Sequence, residues 1–478
     1  MRPILQEVQT AHSPESLIEA LGAGAGTVLL RSRLFDSPQA RSSFVVAHPF
    51  LSLRSFGARC ELASGRDTWQ RFGDPWHVLD ELMSRYELLD EMDLPFPLGG
   101  CFGYWGYDLK NFVEPRLTRR AVNDLEVPDC QVGFYDSVIV FDHRVDKTWI
   151  VSTGLRPDGS REQGWARRQL EWWQERLSTA PGPVSLARSA PAADGRARWT
   201  SSMTREEFVR AVERAQRYIR AGDIYQVNLA HRLAAPAPCA GWEFYRRISE
   251  VSPAPFSAFL EAGDFQLASC SPELFLRLSG SHVLTRPIKG TRPRSNDPTR
   301  DAQLSYELQT SPKEMAELVM ITDLLRNDLG RVCEYGSVQV SELVRLERYP
   351  QVQHLVSTVE GRLWPELTHF NALARCFPGG SITGAPKIRA MEIIDELEPV
   401  TRGPYTGCLG YLGFNRESQL SILIRAALCR EGMVYYHAGA GIVADSAPEA
   451  EYEETLDKAG GFLAAIAVNQ RVSESVKE

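Results

Sequence analysis

The sequence has no long run of uncharged apolar residues. No window approaches the roughly 18 apolar residues that a membrane-spanning helix needs, so no such helix is expected. The first 21 residues, MRPILQEVQTAHSPESLIEAL, also lack the apolar core and the small-residue cleavage site of a signal peptide. We therefore expect a protein of the cytoplasm, without a membrane partner.

Paired cysteines and a basic surplus are missing as well. The nine cysteines stand singly, with no C-x-x-C and no Cys/His cluster at zinc spacing, which predicts free thiols in the core. Lys and Arg number 53 against 61 Asp and Glu, and the formal net charge is -8. Because a protein that binds nucleic acid usually presents a basic face, we expect no nucleic-acid partner. Small substrates and other proteins remain as ligands.

What the sequence does have is enough apolar material for a large core. Its 478 residues, of which 43% are hydrophobic, suffice for two domains. The stretch STAPGPVSLARSAPAADGRAR is rich in Pro, Ala, Gly and Ser and poor in large apolar residues, as linkers are. We predict a linker over residues 179–199, between an N-terminal domain over 1–178 and a catalytic domain over 200–470.

Hydrophobic patterns predict helices and strands on both sides of this linker. Trp165, Leu170 and Trp173 recur at helical spacing before it, and Thr204 with Glu207 forms a capping-box pattern at the start of a helix after it. The strand-like stretches FSAFLEA, FQLASCSPELFLRL and HVLTRPIKGTR follow one another with short connections. Parallel strands would need long crossovers. The expected fold class is therefore mixed α/β (α+β), with antiparallel sheets packed by helices.

Two predicted helices carry a pair of glutamates on one face. Glu314 and Glu317 stand three residues apart, and Glu451 and Glu454 repeat this spacing ahead of Lys458. Carboxylate pairs can share a cation, and Mg²⁺ prefers oxygen ligands while keeping some of its water. These pairs suggest a magnesium site for an acidic substrate. The alternative is a solvated helix face, since acids are common on helix surfaces.

Two glycine-rich segments also adjoin predicted helices. CFPGGSITGAPKIRAMEIIDELEP runs into a helix near Pro386, where backbone N–H groups and the helix dipole attract anions. A plain turn is the alternative, and the spacing of a nucleotide P-loop is absent. YYHAGAGIVADS places Gly439 to Gly441 ahead of the second acidic helix, for which Ser446 and Glu449 predict a capping box.

Taken together, these segments resemble the chorismate-utilising enzymes. The strings that carry the resemblance are AGDIYQVNLA, RPIKGTRPR, DLLRNDLGRV, HLVSTVEG, FPGGSITGAPKIRAMEIIDELEP and AGAGIVADSAPEAEYEET, dense between Tyr218 and Lys458, with PFPLGGCFGYWGYDLKNFVEP in the N-terminal part. The family's members make anthranilate, aminodeoxychorismate, isochorismate or salicylate. The resemblance implies a fold of two intertwined parts and an enzyme that uses chorismate.

The resemblance also implies roles for individual residues. It makes Glu317 and Glu454 direct ligands of Mg²⁺, while Glu314 and Glu451 act through water. The metal would hold the ring carboxylate of chorismate. The residues that match substrate-contacting positions of the family are Gly290, Thr291, His354, Ser381, Thr383, Tyr405, Arg425, Gly439, Ala440, Gly441 and Lys458.

Three positions resemble the members that make aminodeoxychorismate. The water-using members have a lysine base where this chain has Gln226, and the anthranilate-forming members read PIAGT where this chain reads PIKGT. In the aminodeoxychorismate-forming members, the lysine matching Lys289 attacks ring carbon 2. The glutamate matching Glu273 protonates the hydroxyl that leaves carbon 4, and ammonia then attacks carbon 4 and expels the lysine. The chain is thus expected to transfer an amino group to chorismate in the branch leading to para-aminobenzoate and folate.

A nucleophilic lysine must be neutral, and a solvated lysine with a pKa near 10.4 is almost entirely charged at pH 7. We therefore predict that Lys289 is buried. No glutaminase-like segment with a nucleophilic cysteine elbow occurs in the chain, so the resemblance implies a separate glutamine amidotransferase subunit as the source of ammonia.

Four questions stay open at the level of sequence: the function, tryptophan binding, the role of His354 and the oligomeric state. An anthranilate-forming enzyme and a non-catalytic module that binds chorismate or tryptophan are the alternative functions. Ser32 and the segment Pro255, Phe256 and Ser257 match a tryptophan pocket of some members, whereas PQARSS departs from the aromatic-containing loop of that pocket. The role of His354 and the oligomeric state are not indicated.

Overall fold

The computed structural model describes residues 2–10, 12–32, 41–89, 94–179, 199–349 and 352–467. The predicted linker falls almost entirely on residues 180–198, outside the described residues. Within the described ranges, no helix is long and apolar enough to span a membrane. All nine cysteines are free, and eight of them are buried.

The first of two large antiparallel sheets has twelve strands in the described part of the chain, with spatial order β1-β10-β9-β3-β2-β13-β14-β23-β24-β12-β11, and β20 pairs with β12. Its strands are β1 (Ile4–Val8), β2 (Val28–Arg31), β3 (Ser42–Val46), β9 (Ser137–Asp142), β10 (Lys147–Ser152), β11 (Thr200–Ser201), β12 (Gln226–Pro236), β13 (Phe256–Glu261), β14 (Gln266–Ser271), β20 (Gly384–Ala385), β23 (Ala426–Arg430) and β24 (Met433–Ile442).

The second sheet also has twelve described strands, in the order β17-β19-β16-β15-β22-β21-β7-β8-β4-β5-β6, with β18 paired to β19. Its strands are β4 (Leu51–Phe56), β5 (Arg59–Ser64), β6 (Asp67–Phe72), β7 (Gly100–Trp105), β8 (Cys130–Tyr135), β15 (Leu274–Ser279), β16 (His282–Arg286), β17 (Ile288–Pro293), β18 (Gln339–Arg348), β19 (Val352–Arg362), β21 (Cys408–Gly413) and β22 (Glu417–Ile422).

Helices pack around these sheets. They are α1 (Pro14–Ala20), α2 (Pro75–Tyr86), α3 (Lys110–Val113), α4 (Gln163–Thr179), α5 (Arg205–Arg220), α6 (Gly241–Val251), α7 (Pro298–Thr310), α8 (Pro312–Gly330), α9 (His369–Cys376), α10 (Lys387–Leu397), α11 (Pro448–Lys458) and α12 (Gly460–Ala467), with 3-10 helices at Tyr107–Leu109 and Gly380–Ile382.

The core lies in layers. One apolar cluster joins facing strands of the two sheets, including Phe44, Phe102 and Tyr411. A second cluster covers the first sheet with α1, α4, α6 and α12, and a third covers the second sheet with α2 and α9. The predicted fold class, antiparallel sheets packed by helices, is confirmed. Both sheets contain strands from before and after the 180–198 segment, as intertwined parts require, and the predicted domain bounds stay a prediction.

The two predicted capping boxes have different outcomes. At α5 the Thr204 hydroxyl accepts from the Glu207 N–H and the Glu207 carboxylate accepts from the Thr204 N–H, so the box is confirmed. At α11 the prediction is wrong, because the N-cap is Ala447 without a side-chain cap. The Ser446 hydroxyl instead accepts from the backbone N–H of Val443 at 3.0 Å, which closes the turn ahead of the helix.

Candidate active site

A cavity of about 510 Å³ lies where β12, β17 and β24 meet α8, α11 and the turns around residues 381 and 405. This volume is in the range of small-molecule sites. Fourteen of the residues predicted from the sequence line it. They are Glu273, Lys289, Gly290, Thr291, Glu314, Glu317, His354, Ser381, Tyr405, Arg425, Gly439, Gly441, Glu454 and Lys458.

Gly290 shapes the wall that carries Lys289. The pairing of β17 with β19 shifts register between Lys289 and Thr291, and Gly290 has φ 68°, where a side chain is strained. A Cβ on Gly290 would lie 2.7 Å from Leu308 Cδ1 and 3.0 Å from Glu314 Oε2. The glycine thus permits a bulge that brings the β17 backbone against the helix carrying the first acidic pair.

Lys289 is half-buried, so the prediction that it is buried is wrong. The physical reason is its position on the cavity wall. A Cβ built on Gly441 would lie 4.0 Å from the Lys289 amine nitrogen, which places that nitrogen near the glycine-rich strand. The Lys458 amine pairs with Glu454 at 2.7 Å. The Lys289 amine has no hydrogen bond or ion pair of this type within the described residues.

Glu273 is more deeply buried than Lys289. Its side chain is 6% exposed and sits just before β15. Burial raises its pKa from 4.5 to about 7, although a hydrogen bond with Ser381 and the nearby charge of Lys289 act in the opposite direction. A carboxyl group with this pKa is partly protonated near neutral pH. Glu273 can therefore donate a proton, as its predicted role requires.

The glycines of β24 let side chains approach the cavity closely. A Cβ on Gly439 would lie 2.6 Å from Asn228 Oδ1 and 2.9 Å from the Tyr405 hydroxyl. Ala440, between the two cavity-lining glycines, is fully buried in an apolar cluster with α5 and α10, because successive residues of a strand face opposite sides. Of this predicted set, Ala440 therefore does not line the cavity.

The acidic pairs differ in their surroundings. On α8, Glu314 accepts from Arg292 at 3.3 Å; on α11, Glu454 pairs with Lys458 at 2.7 Å. Burial raises the pKa of Glu317. Burial also acts to raise the pKa of Glu454, but the charge and hydrogen bond of Lys458, together with the charges of Lys313 and Lys289, outweigh it and the net direction is down. Carboxylates of both helices thus face one cavity.

Glu451, the fourth acid, does not line the cavity. It is 4% exposed, and its Oε2 is buried with no hydrogen-bond partner in the part of the chain that the structure describes. Burial raises its pKa, with Ser446 acting against the rise and Glu454 adding to it. An unpartnered buried carboxylate oxygen is costly unless a cation or water completes it, as expected of a ligand acting through water.

The predicted acidic residues could supply only part of the coordination shell of Mg²⁺. Among the described residues, no three Asp, Glu, His or Cys side chains converge closely enough to hold a metal. Mg²⁺ commonly takes one or two protein carboxylates and completes its shell with water and substrate oxygens. Glu317 and Glu454 could supply those two carboxylates.

His354 and Thr291 form a pair beside Lys289. The Nδ1 atom of His354 lies 2.9 Å from the Thr291 hydroxyl, and burial lowers the pKa of His354 to about 4, with the charge of Arg425 adding to the effect. The imidazole is neutral at physiological pH. Arg425 has φ 50°, a strained conformation that recurs at functional sites.

The turn around Ser381 contributes one residue of its predicted pair. Ser381 lines the cavity. Thr383 is fully buried, and its hydroxyl lies 3.1 Å from Gly379 O and 3.2 Å from Gly380 O. Thr383 therefore stabilises the turn rather than facing the cavity, and the predicted substrate contact of its side chain has no support in the geometry.

Several polar residues of the wall were not predicted from the sequence. They are Asn228, Arg292, Lys313, His437 and Asp457. Lys313 could have been found, since it precedes Glu314 in the same helix. Asp457 and Arg292 could have been found in the same way, since Asp457 precedes Lys458 on α11 and Arg292 follows Thr291 on β17. Asn228 and His437 approach the cavity through the pairing of β12 with β24, which are distant in sequence. His437 stacks on Tyr405 with ring centroids 5.0 Å apart.

The predicted tryptophan pocket is a separate and smaller cavity. Ser32, Pro255, Phe256 and Ser257 all line it, and its volume is about 30 Å³. A volume of this size holds little more than water. Residues 38–40 of PQARSS lie outside the described residues, and tryptophan binding stays a prediction.

Comparison with known proteins places this cavity in a family context. A family model described as chorismate binding enzyme matches residues 32–464. Aminodeoxychorismate synthase component 1 of Escherichia coli (strain K12) is 40% identical over 439 residues, covering 91% of this chain and 92% of that protein. Anthranilate synthase component 1 of Thermus thermophilus is 43% identical over 399 residues, covering 82% of this chain and 84% of that protein.

A solved structure extends the likeness to the backbone. Anthranilate synthase component I from Streptococcus pneumoniae TIGR4 has a TM-score of 0.78 and 30% identity, covering 96% of this chain and 99% of that chain. Relatives with two different names are thus about equally similar to this chain.

Proposed function

Because this chain belongs to the family of chorismate binding enzymes, we propose that it is an aminodeoxychorismate synthase component I. The proposed reaction converts chorismate and ammonia to 4-amino-4-deoxychorismate, with Lys289 as a covalent nucleophile. The observation that supports this choice is that one cavity is lined by both a lysine amine that has no hydrogen-bond acceptor among the described residues and a buried carboxyl group with a pKa of about 7.

The proposed first displacement forms a bond between the lysine nitrogen and ring carbon 2. The ring double bonds shift, and the carbon 4 hydroxyl leaves as water after taking the proton of Glu273. Glu273 is suited to this step because its burial favours the protonated form. Ser381, which bonds to the carboxyl group, holds it in place.

The proposed second displacement restores the enzyme. Ammonia attacks carbon 4, the double bonds shift back, and the bond between carbon 2 and the lysine breaks with the electron pair returning to the amine. The new amino group at carbon 4 gives up one proton, which returns to the Glu273 carboxylate. Two successive displacements retain the configuration at carbon 4, whereas one would invert it.

The polar wall suits an acidic substrate. Arg425 and Lys458 line the cavity and can bind carboxylates. We infer that Glu317 and Glu454 hold Mg²⁺ directly, with Glu314 and Glu451 acting through water. Bound Mg²⁺ would supply positive charge for the ring carboxylate of chorismate. The ammonia would come from glutamine through a separate amidotransferase subunit.

Anthranilate formation is the second candidate, favoured by the 43% identity to the Thermus thermophilus protein. The two functions differ in their products. Purified chain is incubated with chorismate, MgCl₂ and ammonium, and the products are separated and identified by mass. We expect aminodeoxychorismate and no pyruvate; anthranilate with equimolar pyruvate would overturn the proposal.

The role of Lys289 is tested with Lys289→Ala. We expect loss of product at least a hundredfold, because a nucleophile is removed. Without ammonia, the wild-type chain mixed with chorismate should gain an adduct mass on the peptide containing Lys289, and the variant should not. Lys147 is exposed on β10 of the first sheet and does not line the cavity, so Lys147→Ala serves as the control. An unchanged rate in Lys289→Ala would refute the covalent mechanism.

A further inference from the structure

Arg402 lies behind the cavity wall and touches three of the segments that form it. Its side chain is 1% exposed, and it does not line the main cavity. Buried guanidinium groups are rare because removal of the charge from water is costly unless every donor is satisfied. The partners of this arginine therefore indicate what it does.

All five N–H groups of Arg402 have an acceptor. Two contact Glu398, at 2.9 Å to Oε2 and 2.6 Å to Oε1. The other three reach Asn228 O at 2.8 Å, Ile382 O at 3.1 Å and the Thr406 hydroxyl at 3.1 Å. A guanidinium carries five such donors in a fixed plane, so its hydrogen-bonding capacity is fully used.

These acceptors belong to separate parts of the cavity wall. Asn228 lies on β12, and Ile382 ends the 3-10 helix that also carries Ser381; both residues line the cavity. Thr406 follows the lining residue Tyr405 and donates to its carbonyl at 2.6 Å. Arg402 thus joins three wall segments that are far apart in sequence.

Two further contacts extend this arrangement. Glu398 Oε1 also accepts from the Ala230 N–H at 2.9 Å, which fixes β12 a second time. The guanidinium carbon lies 5.5 Å from the centroid of the Tyr405 ring and 4.8 Å from that of Tyr107. The Tyr405 ring, which lines the cavity, therefore makes a cation–π contact with the same guanidinium.

Thr406 adds an independent sign of constraint. It is fully buried and has φ 60°, a conformation that β-branched residues rarely adopt. Such strain persists only where surrounding contacts determine it. The hydroxyl contact with Arg402 and the backbone bond from Thr406 N to Leu423 O at 2.8 Å are the contacts that hold it.

We propose that Arg402 is a positioning residue for substrate binding: by joining β12, the Ser381 turn and the Tyr405 turn, it sets the shape of the chorismate cavity without touching the substrate. Lys289 and Glu273 lie on segments that Arg402 does not contact, and Arg402 reaches Glu273 indirectly, through the turn that carries Ser381. We therefore expect its loss to affect binding more than the chemical step. The inference rests on the cavity being the chorismate site, and not on which product forms there.

The test compares Arg402→Lys with Arg416→Lys. Lysine keeps the charge but cannot span five acceptors with one nitrogen. Arg416 is the control, since it forms a bidentate ion pair with Glu87, as Arg402 does with Glu398. Neither Arg416 nor Glu87 lines the cavity. Chorismate affinity is measured with MgCl₂ in chains that also carry Lys289→Ala, so that no covalent adduct forms; KM and kcat are then measured with ammonium in chains that retain Lys289.

We expect at least a tenfold rise in chorismate Kd and KM for Arg402→Lys, less than a threefold change in kcat, and wild-type values for Arg416→Lys. Wild-type affinity in Arg402→Lys, an equal loss in Arg416→Lys, or a loss confined to kcat would each overturn the proposal. A wild-type chain that forms anthranilate would refute the proposed function and leave this comparison intact.

A second variant decides the matter if Arg402→Lys does not fold. Thr406→Val is nearly isosteric and removes one acceptor of Arg402, whereas Thr153→Val removes a buried hydroxyl that bonds to Asp136 O at 2.9 Å outside the cavity. We expect about a threefold to tenfold rise in chorismate Kd for Thr406→Val only. Equal affinities for the two valine variants would overturn the proposal.

Discussion

Replacement of Glu273 by glutamine should make the protein more stable at pH 8 than the wild type. The carboxyl group is deeply buried, and its pKa rises from 4.5 to about 7 on folding. The folded state thus binds this proton more tightly than the unfolded state. The stability that the protonated group contributes is fully present below pH 4.5 and is lost as the pH rises through about 7.

The size of the effect follows from the same values. At about 1.4 kcal/mol for each pKa unit, the ionised carboxylate lowers the free energy of unfolding by about 3 kcal/mol at pH 8. Glutamine has nearly the same shape and never ionises. Glu273→Gln should therefore match the wild type near pH 4.5 and exceed it by up to about 3 kcal/mol at pH 8, while turnover falls by about 10²- to 10⁴-fold because the proton donor is gone.

Urea unfolding followed by tryptophan fluorescence at pH 5, 6, 7 and 8 measures this difference. Glu366→Gln removes the same charge from an exposed site and should follow the wild type at every pH. If the unfolding midpoints of Glu273→Gln and the wild type change in parallel from pH 5 to 8, the carboxyl group titrates normally. The assignment of Glu273 as a buried general acid would then be refuted.

Two further predictions concern the cavity wall and the metal. Gly290→Ala should lower the free energy of unfolding by about 1–3 kcal/mol, because its Cβ would meet Leu308 Cδ1 at 2.7 Å. Gly280 also has a positive φ, 55°, but a Cβ there would have no atom within 4 Å, so Gly280→Ala should lose less stability. Equal losses in the two variants would mean that the close contact with Leu308 is unimportant. Glu454→Gln should weaken Mg²⁺ binding, measured by calorimetry, at least tenfold, since it removes a proposed direct ligand. The exposed Glu453→Gln on the same helix should bind Mg²⁺ normally, and an equal loss in both would indicate only a general charge effect.

Local patterns predicted the parts of the site that lie within one element. Glu314 and Glu317 share a face of α8 because three residues are close to one helical turn, and both line the cavity. The predicted capping box of Thr204 and Glu207 was also correct, because both residues lie at the first turn of one helix. The capping box predicted at Ser446 was wrong. The Ser446 hydroxyl accepts a hydrogen bond from the backbone N–H of Val443 in the turn ahead of the helix, and this bond takes the place of a helix cap.

The sequence did not predict which side chains of the matched strings face the cavity and which are buried away from it. Ala440 and Thr383 stand within strings typical of the family, yet one faces the apolar cluster and the other closes its own turn. Their neighbours Gly439, Gly441 and Ser381 line the cavity. A match to a string identifies the segment, whereas the direction of each side chain depends on pairing with distant strands.

The sequence by itself determined the family, the antiparallel sheet architecture, the spacing of the acidic pairs and the position of Lys289 before Gly290. Each was predicted from motifs, helix faces or short strand connections whose residues are close together in the chain, although the sheets themselves also pair distant strands such as β12 and β24. Only the tertiary structure decided that Lys289 is half-buried, that Glu273 is buried enough to hold a proton near pH 7, and that Arg402 joins three walls. These properties depend on desolvation and hydrogen bonds between segments distant in sequence, such as Arg402 with Asn228, and no local pattern encodes such contacts.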